Sequence, residues 1–448
     1  MVRFCKKLLL SFVFIACGHA QEGASGEQFA VKLESSGQRY GTVGCLLLCI
    51  GDSPELDVIG KAVKNDLEFT DQLAVEIKKT DTEPDAVLLP KLFNAGTSVC
   101  VYLKSGELKN ALLPVTVMVK EASSGDELFY KTFDCSVKNS VHASHCITHE
   151  LFPILTGTQE PVLSTLAYCK QVSPHNKMLC IADYACRKER MLFQSNTINL
   201  APRWHTQAPL LFYSQLTKSK SKLMSFDVKT GRRAVVCAYD GLTMQPSFSQ
   251  DGSRAVLCMS AGKKGNSELF LYDQRFCSRL GRRVFKQLTN NGGNNASPVI
   301  LGNDDIVFCS DFETGLPQIY YFDWKKRTVS RLTNGKGYCT APSYCSATHM
   351  IVYNRLVKGV FQLCVMDLAD AKHRERQITK GKGNKQEPSW SACGRYVAFS
   401  YDGYDEQTST QATSQIAVLN LASKKIKVLT SGSESKSFPC WINQTYYV

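Results

Sequence analysis

The sequence predicts a small α/β layer at the N-terminus, followed by an all-β six-bladed β-propeller closed by the C-terminal strand. Three observations predict it. A phrase recurs with proline at Pro202, Pro246, Pro298, Pro342, Pro388 and Pro439, at intervals of 44 to 52 residues. The intervals carry four strand-like runs, and self-similarity at this period in strand-rich sequence marks a propeller. The last proline has few residues after it, whereas strand-like runs at Thr165–Lys170, Lys177–Asp183 and Arg190–Gln194 precede the first. Joining Phe438–Trp441 to the sheet that begins near residue 165 completes a ring and removes open sheet edges.

Met1–Ala20 reads as a secretory signal. Arg3, Lys6 and Lys7 give a charged start, Leu8–Cys17 an apolar centre, and Gly18-His19-Ala20 a small-residue end. A lipoprotein reading would acylate Cys17, but Phe14 stands where a leucine is expected. The apolar run is too short to span a bilayer, so an exported chain cleaved near Ala20, without a membrane span, is expected.

Residues 21–157 read as the α/β domain. Phe29–Leu33 and Thr42–Ile50 are strand-like. Ser53-Pro54 starts a helix whose apolar face is Leu56, Ile59, Val63 and Leu67. Leu73–Ile77 returns as a strand, and Asp85–Ala95 reads as a short helix ending at Gly96. Ser98–Leu103, Val115–Lys120 and Leu128–Phe133 are strands joined by hairpin chemistry, and Ser140–Leu155 closes the domain as a helix. On that helix His142, His145 and His149 share one side. Metalloprotease chemistry wants glutamate directly after the first histidine, and here Glu150 follows His149; ordinary packing is the expectation, with no metal.

Residues 161–448 read as the propeller. The fullest repeats are Pro246-Ser-Phe-Ser-Gln-Asp-Gly-Ser-Arg-Ala-Val-Leu257 and Pro388-Ser-Trp-Ser-Ala-Cys-Gly-Arg-Tyr-Val-Ala-Phe399. A threonine follows each fourth strand: Thr289, Thr333, Thr379 and Thr430. The connections Tyr239–Gln245, Asn290–Ser297, Asn334–Thr340 and Lys380–Glu387 fall on one face, and loops on a rigid scaffold are the usual place for recognition. Among their residues Tyr338, Thr340 and Glu387 are candidate contacts.

The net charge of +13 is spread, without the basic stripe and stacking aromatics of a nucleic-acid binder. Of nineteen cysteines two lie in the signal, leaving an odd seventeen, so at least one thiol is free or pairs with another chain. Export allows disulfides, whereas Cys258 and Cys309, at one repeat position, read as buried small hydrophobes. Cys45 and Cys49 face one side of a strand and are too far apart to bond. No nucleophile elbow, P-loop or dinucleotide fingerprint is present. Gly335-Lys336-Gly337 and Gly381-Lys382-Gly383 follow repeat threonines and read as inter-blade loops. Asp311 with Glu313, or Asp402 with Asp405, would be the acid pairs of the alternative reading, a propeller hydrolase or lyase acting on peptides or glycans.

Asn65-Asp66-Leu67, the helix from His145 to Leu155-Thr156-Gly157 directly before the first blade, Ser310-Asp311…Leu316-Pro317-Gln318-Ile319-Tyr320 and the repeats together resemble the TolB family of the Tol-Pal system. The resemblance covers nearly the whole mature chain. It implies a non-enzymatic periplasmic protein, without cofactor and monomeric within a complex, that supports outer-membrane integrity and cell division. It implies that the propeller face binds the peptidoglycan-associated lipoprotein Pal, here through Leu242, Thr243, Gln245, Asn294, Asn295 and Ala296. It implies that the segment after the signal, Gln21–Ser35 with Glu22, Phe29, Val31 and Leu33, links to the inner-membrane protein TolA. Leu242 and Ala296 depart from the family's usual histidine and threonine.

Overall fold

The computed structural model describes residues 42–82, 89–217, 221–239, 241, 243–260, 265–280, 283–334, 337–405 and 410–448. The expected signal, the strand at Phe29–Leu33 and the TolA-linked residues lie outside them.

The described residues open with β1 (Val43–Ile50), α1 (Pro54–Phe69), β2 (Leu73–Thr80), α2 (Leu89–Asn94), β3 (Val99–Ser105), β4 (Leu112–Glu121), β5 (Glu127–Ser136) and α3 (Ser140–Thr156). The sheet order is β2-β1-β3-β4-β5, with β1 parallel to β2 and β3. Ser53 caps α1 by accepting from Leu56 N at 3.3 Å, and Pro54 opens the helix, where a missing amide hydrogen is harmless. Alternation sorts β1: Cys45, Leu47 and Cys49 pack with α1 and α3, while Leu46, Leu48 and Ile50 pack with Leu89 of α2. The two cysteines therefore share a face, as expected. The helix expected over Asp85–Ala95 is described only as Leu89–Asn94. Gly157, at φ 67°, ends α3 in the left-handed conformation that a side chain would strain.

The repeats follow as β6 (Thr165–Ser173), β7 (Asn176–Asp183), β8 (Glu189–Met191), β9 (Ile198–Trp204), β10 (Leu210–Leu216), β11 (Ser221–Asp227) and β12 (Arg233–Tyr239). Then come β13 (Thr243–Phe248), β14 (Arg254–Met259), β15 (Glu268–Asp273), α4 (Gln274–Leu280) and β16 (Phe285–Gln287). Next are β17 (Asn295–Ile300), β18 (Ile306–Ser310), β19 (Gln318–Asp323), β20 (Thr328–Arg331), β21 (Cys339–Cys345), β22 (Met350–Val357), β23 (Val360–Asp367) and β24 (Glu375–Gln377). The last are β25 (Asn384–Trp390), β26 (Tyr396–Asp405), β27 (Thr410–Asn420), β28 (Ile426–Val428) and β29 (Lys436–Ile442).

β13 to β28 form four separate four-stranded antiparallel sheets. The remaining strands differ from the expected pattern of separate blades: they form one eight-stranded sheet, β12-β11-β10-β9-β7-β6-β29, with β8 on β7. The reason is local. β7 and β9 share a single parallel pair, Lys177 with Ile198, and Asn199 Nδ2 donates to Lys177 O at 2.9 Å, bridging the strands. β29 runs antiparallel to β6, with Cys440 opposite Ala167 and Trp441 opposite Leu166.

Each repeat proline sits one residue after a backbone kink. Ala201, Gln245, Ser297, Ala341, Glu387 and Phe438 all have φ between 49° and 58°. At each, the pairing of the first strand with its neighbour slips by a bulge. A bulge is where a strand tolerates proline, which cannot donate to the ladder. Residues from all six kinked strands, among them Trp204, Phe248, Ile300, Tyr344, Trp390 and Trp441, line one cavity of about 240 Å³. The serine after the proline ties neighbours together: Ser247 Oγ accepts from Ile300 N, Ser343 Oγ from Trp390 N and Ser389 Oγ from Trp441 N, at 2.9 to 3.3 Å.

None of the seventeen cysteines among the described residues is in a disulfide. The odd thiol expected from the count is thus one of many. Cys258 Sγ donates to Asn295 O and Cys309 Sγ to Cys339 O, the bond that Ser214 Oγ makes to Thr243 O in the preceding repeat. These cysteines act as serine-like donors between neighbouring sheets, and burial pushes their thiols up to about 11 for Cys258 and about 12 for Cys309.

Candidate functional site: the axial face

The face at the start of the six kinked strands is built by three repeating positions. The threonine after the fourth strand accepts from the backbone of the third: Thr289 Oγ1 from Leu269 N, Thr333 from Ile319 N, Thr379 from Leu363 N and Thr430 from Ile416 N. Each hydroxyl donates in turn to Glu268, Gln318, Gln362 or Gln415. This is why threonine recurs there: one hydroxyl closes the connection as both acceptor and donor.

The second position lies three residues before each proline. Asn199, Thr243, Asn295, Cys339, Lys385 and Lys436 are all buried there, none more than 3% exposed. Lys385 Nζ donates to the carbonyls of Lys380, Gly381 and Lys382 at 3.2, 3.1 and 2.8 Å. The Gly381-Lys382-Gly383 loop therefore presents oxygens to its own cation, the opposite polarity to a phosphate cradle. Burial holds the Lys385 ammonium below its usual range. Asn295 Nδ2 donates to Glu268 Oε2 at 2.8 Å in the one sheet where glutamate replaces glutamine.

The third position is the kinked residue itself. Ser297 Oγ donates to Gln245 Oε1 at 2.7 Å. Glu387 accepts from Ser400 Oγ at 2.6 Å and from Phe438 N at 2.7 Å. Burial raises its carboxyl above the ordinary range, against the pull of those donors and of Arg203 and Lys177.

These positions correct the expected contact surface. Thr243 and Asn295 are fully buried supports. Thr243, Gln245, Asn295, Ala296, Thr340 and Glu387 lie within first strands rather than in loops. Asn294 is exposed, its backbone N and Nδ2 donating to the Asp311 carboxylate at 2.7 and 3.0 Å. Tyr338 is exposed, and Gln245, Ala296, Thr340 and Glu387 are partly or largely covered. Leu242 lies outside the described residues. The first acid pair is engaged elsewhere: Asp311 with Asn294, and Glu313 with Arg331 at 3.1 Å.

Of the three histidines of α3, His142 and His145 both meet Tyr447 edge-on, and His149 points elsewhere, to Gln159. His145 is fully buried. His145 Nδ1 lies 2.8 Å from Asp66 Oδ2 on α1, and Nε2 lies 3.3 Å from Asp183 Oδ2 at the end of β7. Arg187 donates to Asp66 and stands 3.5 Å from Asp183, while Tyr184 and Thr148 hydroxyls donate to Asp66 at 2.8 and 3.0 Å. Two carboxylates, the buried His145 and the partly exposed Arg187 thus form one charged group joining α1 and α3 to the repeats. Burial alone would lower the His145 imidazole, but Asp66 and Asp183 outweigh it and hold it above its usual value. His145 and Arg187 hold both carboxylates below theirs, against burial. Sequence reading found Asp66 and His145 as separate motif residues; their helices, 79 positions apart, hid the pairing.

Comparison with known proteins decides the family. The model of the TolB beta propeller domain matches residues 152–444. The chain belongs to the TolB family. The Tol-Pal system protein TolB of Francisella tularensis subsp. mediasiatica is 24% identical over 348 residues, covering 74% of this chain and 75% of that protein. The Tol-Pal system protein TolB of Rickettsia prowazekii is 27% identical over 228 residues, covering 48% and 51%. The crystal structure of TolB from Acinetobacter baumannii superposes with a TM-score of 0.76 at 19% identity, covering 90% of this chain and 96% of that one. The α/β region followed by a β-propeller is therefore the TolB architecture. Among the described residues no helix is long and apolar enough to cross a membrane.

Proposed function

We propose that this chain is a non-enzymatic component of a Tol-Pal system, exported to the periplasm, that binds a Pal-like peptidoglycan-associated lipoprotein on its axial face. The observation that carries the reading is the exposed rim at the start of the kinked strands, Asn294 and Tyr338 included, set on a base of buried, hydrogen-bonded positions that recur from strand to strand. Membership in the TolB family and relatives named as Tol-Pal system proteins support it. The eight-stranded sheet is read as two blades touching at Lys177 and Ile198, which gives six blades, with β29 closing the ring on β6. Residues 1–20 are taken as the signal, 21–157 as the α/β domain and 161–448 as the propeller. The segment Gln21–Ser35 is the proposed link to a TolA-like protein, in support of outer-membrane integrity and cell division.

The test is calorimetric titration of the purified mature chain with the soluble domain of the lipoprotein from the same cell. Saturable binding is expected, weakened at least about tenfold by Tyr338→Ala with Asn294→Ala, as for central anchors of an interface. No heat of binding across micromolar concentrations would sink the lipoprotein reading. Deleting Glu22–Ser35 should change that affinity, and an unchanged value would sink the proposed coupling to TolA.

A further inference from the structure

Neighbouring sheets pack through two repeating positions that can be aligned on the residue ending each third strand: Asp227, Asp273, Asp323, Asp367 and Asn420. The residue after it is Val228, Gln274, Trp324, Leu368 and Leu421, respectively. The four apolar ones pack into cores between strands. Gln274 is the exception. Two residues earlier stand Ser225, Leu271, Tyr321, Val365 and Val418, where Ser225 is the exception.

Both exceptions fall on one interface. Between the β9–β12 strands and the β13–β16 sheet, Ser225 and Gln274 line a cleft of about 370 Å³. At the next interface Leu271 and Trp324 take the same places, and about 10 Å³ remains. The cleft walls are rings: His205, Phe212, Phe248, Tyr272 and Phe285. Phe248 lies 4.7 Å from Phe212 and 4.8 Å from His205, centroid to centroid. The cleft is thus an aromatic-lined slot; one repeat later the equivalent slot is filled, and at the interface after that Tyr321 and Leu368 line a larger opening of about 980 Å³ whose other walls are mostly polar, Asn303, Asp323, Lys326 and His373 among them.

The mouth differs too. Where the β19–β20 connection is a tight turn, the β15–β16 connection carries α4, which leaves Phe276 52% and Leu280 46% exposed; Val235 on β12 is 47% exposed. Cations recur along the same connection, at Arg275, Arg279 and Arg283. Arg283 lines the cleft and donates to the carbonyls of Val235 and Val236 at 3.4 and 2.5 Å. Arg275 pairs with Asp251 at 2.9 Å, and Arg279 makes no ion pair among the described residues. A pocket of this size with an apolar lining and a wider apolar, basic rim suits one anchoring side chain on a longer partner.

We propose that this cleft docks an acidic segment of another protein, with one aromatic side chain seated among Phe212, Phe248 and Tyr272 and carboxylates facing Arg279 and Arg283. The cleft lies beside the turns that follow the kinked strands, at His205 and Gly252, the end opposite Asn294 and Tyr338. It is therefore independent of the lipoprotein reading.

The test uses the full mature chain and a fluorescein-labelled peptide with a single tryptophan among glutamates. Saturable anisotropy change is expected, and replacing the tryptophan by alanine, or the glutamates by lysine, should weaken binding at least about tenfold. Gln274→Trp, which copies the packing at Trp324, should abolish peptide binding while leaving lipoprotein binding and the unfolding midpoint at least as high. Arg279→Glu with Arg283→Glu should weaken the peptide similarly. No peptide binding, equal binding of the lysine peptide, undiminished binding by Gln274→Trp, or binding of phosphatidylglycerol vesicles in place of the peptide would each overturn the proposal.

Discussion

Two sets of buried polar groups hold this molecule together, and they are satisfied in different ways. At the joint between α1, α3 and the repeats, charges face charges: Asp66 and Asp183 against His145 and Arg187. Around the axial face, single polar groups face backbone: Lys385 meets three carbonyls, and the repeat threonines meet strand amides. The first arrangement depends on protonation. The second recurs, because each connection between sheets leaves the same backbone groups to be satisfied. A cluster in which four groups share each other as partners is fragile to a single change, whereas a repeated device spreads its load over several copies.

The largest expected effect lies at the joint. Asp66→Ala leaves the buried His145, and the partly exposed Arg187, without their main partner, and should cost about 3–5 kcal/mol in denaturant unfolding. A loss below about 1 kcal/mol, the level of an exposed ion pair, would erase the contrast between the two regions. Lys385→Ala strands three carbonyls at one connection only, and should cost about 1–3 kcal/mol in the same measurement.

Protonation separates the regions further. His145 has its folded value raised above 6.5, so its contribution is complete below that pH and is lost as pH rises through the raised value. Asp66 and Asp183 have theirs lowered below 3.8, so their contribution is complete above that pH and is lost on acidification through the lowered values. The joint should therefore be strongest between about pH 4 and pH 6.5. His145→Gln should flatten the alkaline side of the unfolding midpoint against pH, and a wild-type decline that survives this substitution would assign the titration elsewhere.

The smallest effect tests the cysteines. Cys258→Ser keeps a donor to Asn295 O and should shift stability by less than about 1 kcal/mol, whereas Cys258→Val removes the donor and should cost about 1 kcal/mol. The reverse order would mean that Cys258 serves as a hydrophobe only.

Much of the scaffold was legible in the chain. Proline at each first strand, threonine after each fourth, and the cap at Ser53 each meet a need confined to a few neighbouring residues. The axial face was only half legible. Loop chemistry around Asn294 and Tyr338 was visible, but Thr243 and Asn295 read as surface and are buried supports. Polarity in a connection does not say whether the group turns to water or to a backbone amide. The cysteine count likewise allowed disulfides, and the described thiols instead serve as donors and fillers.

By itself, then, the sequence determined the repeat, the order of its strands and the helices that precede it, because period, turn chemistry and caps act over short range. Only the tertiary structure decided that His145 meets both Asp66 and Asp183, and that Ser225 and Gln274 line an aromatic cleft between two sheets. Those are contacts between residues distant in the chain, where the energy depends on what desolvates a group and what faces it across the gap.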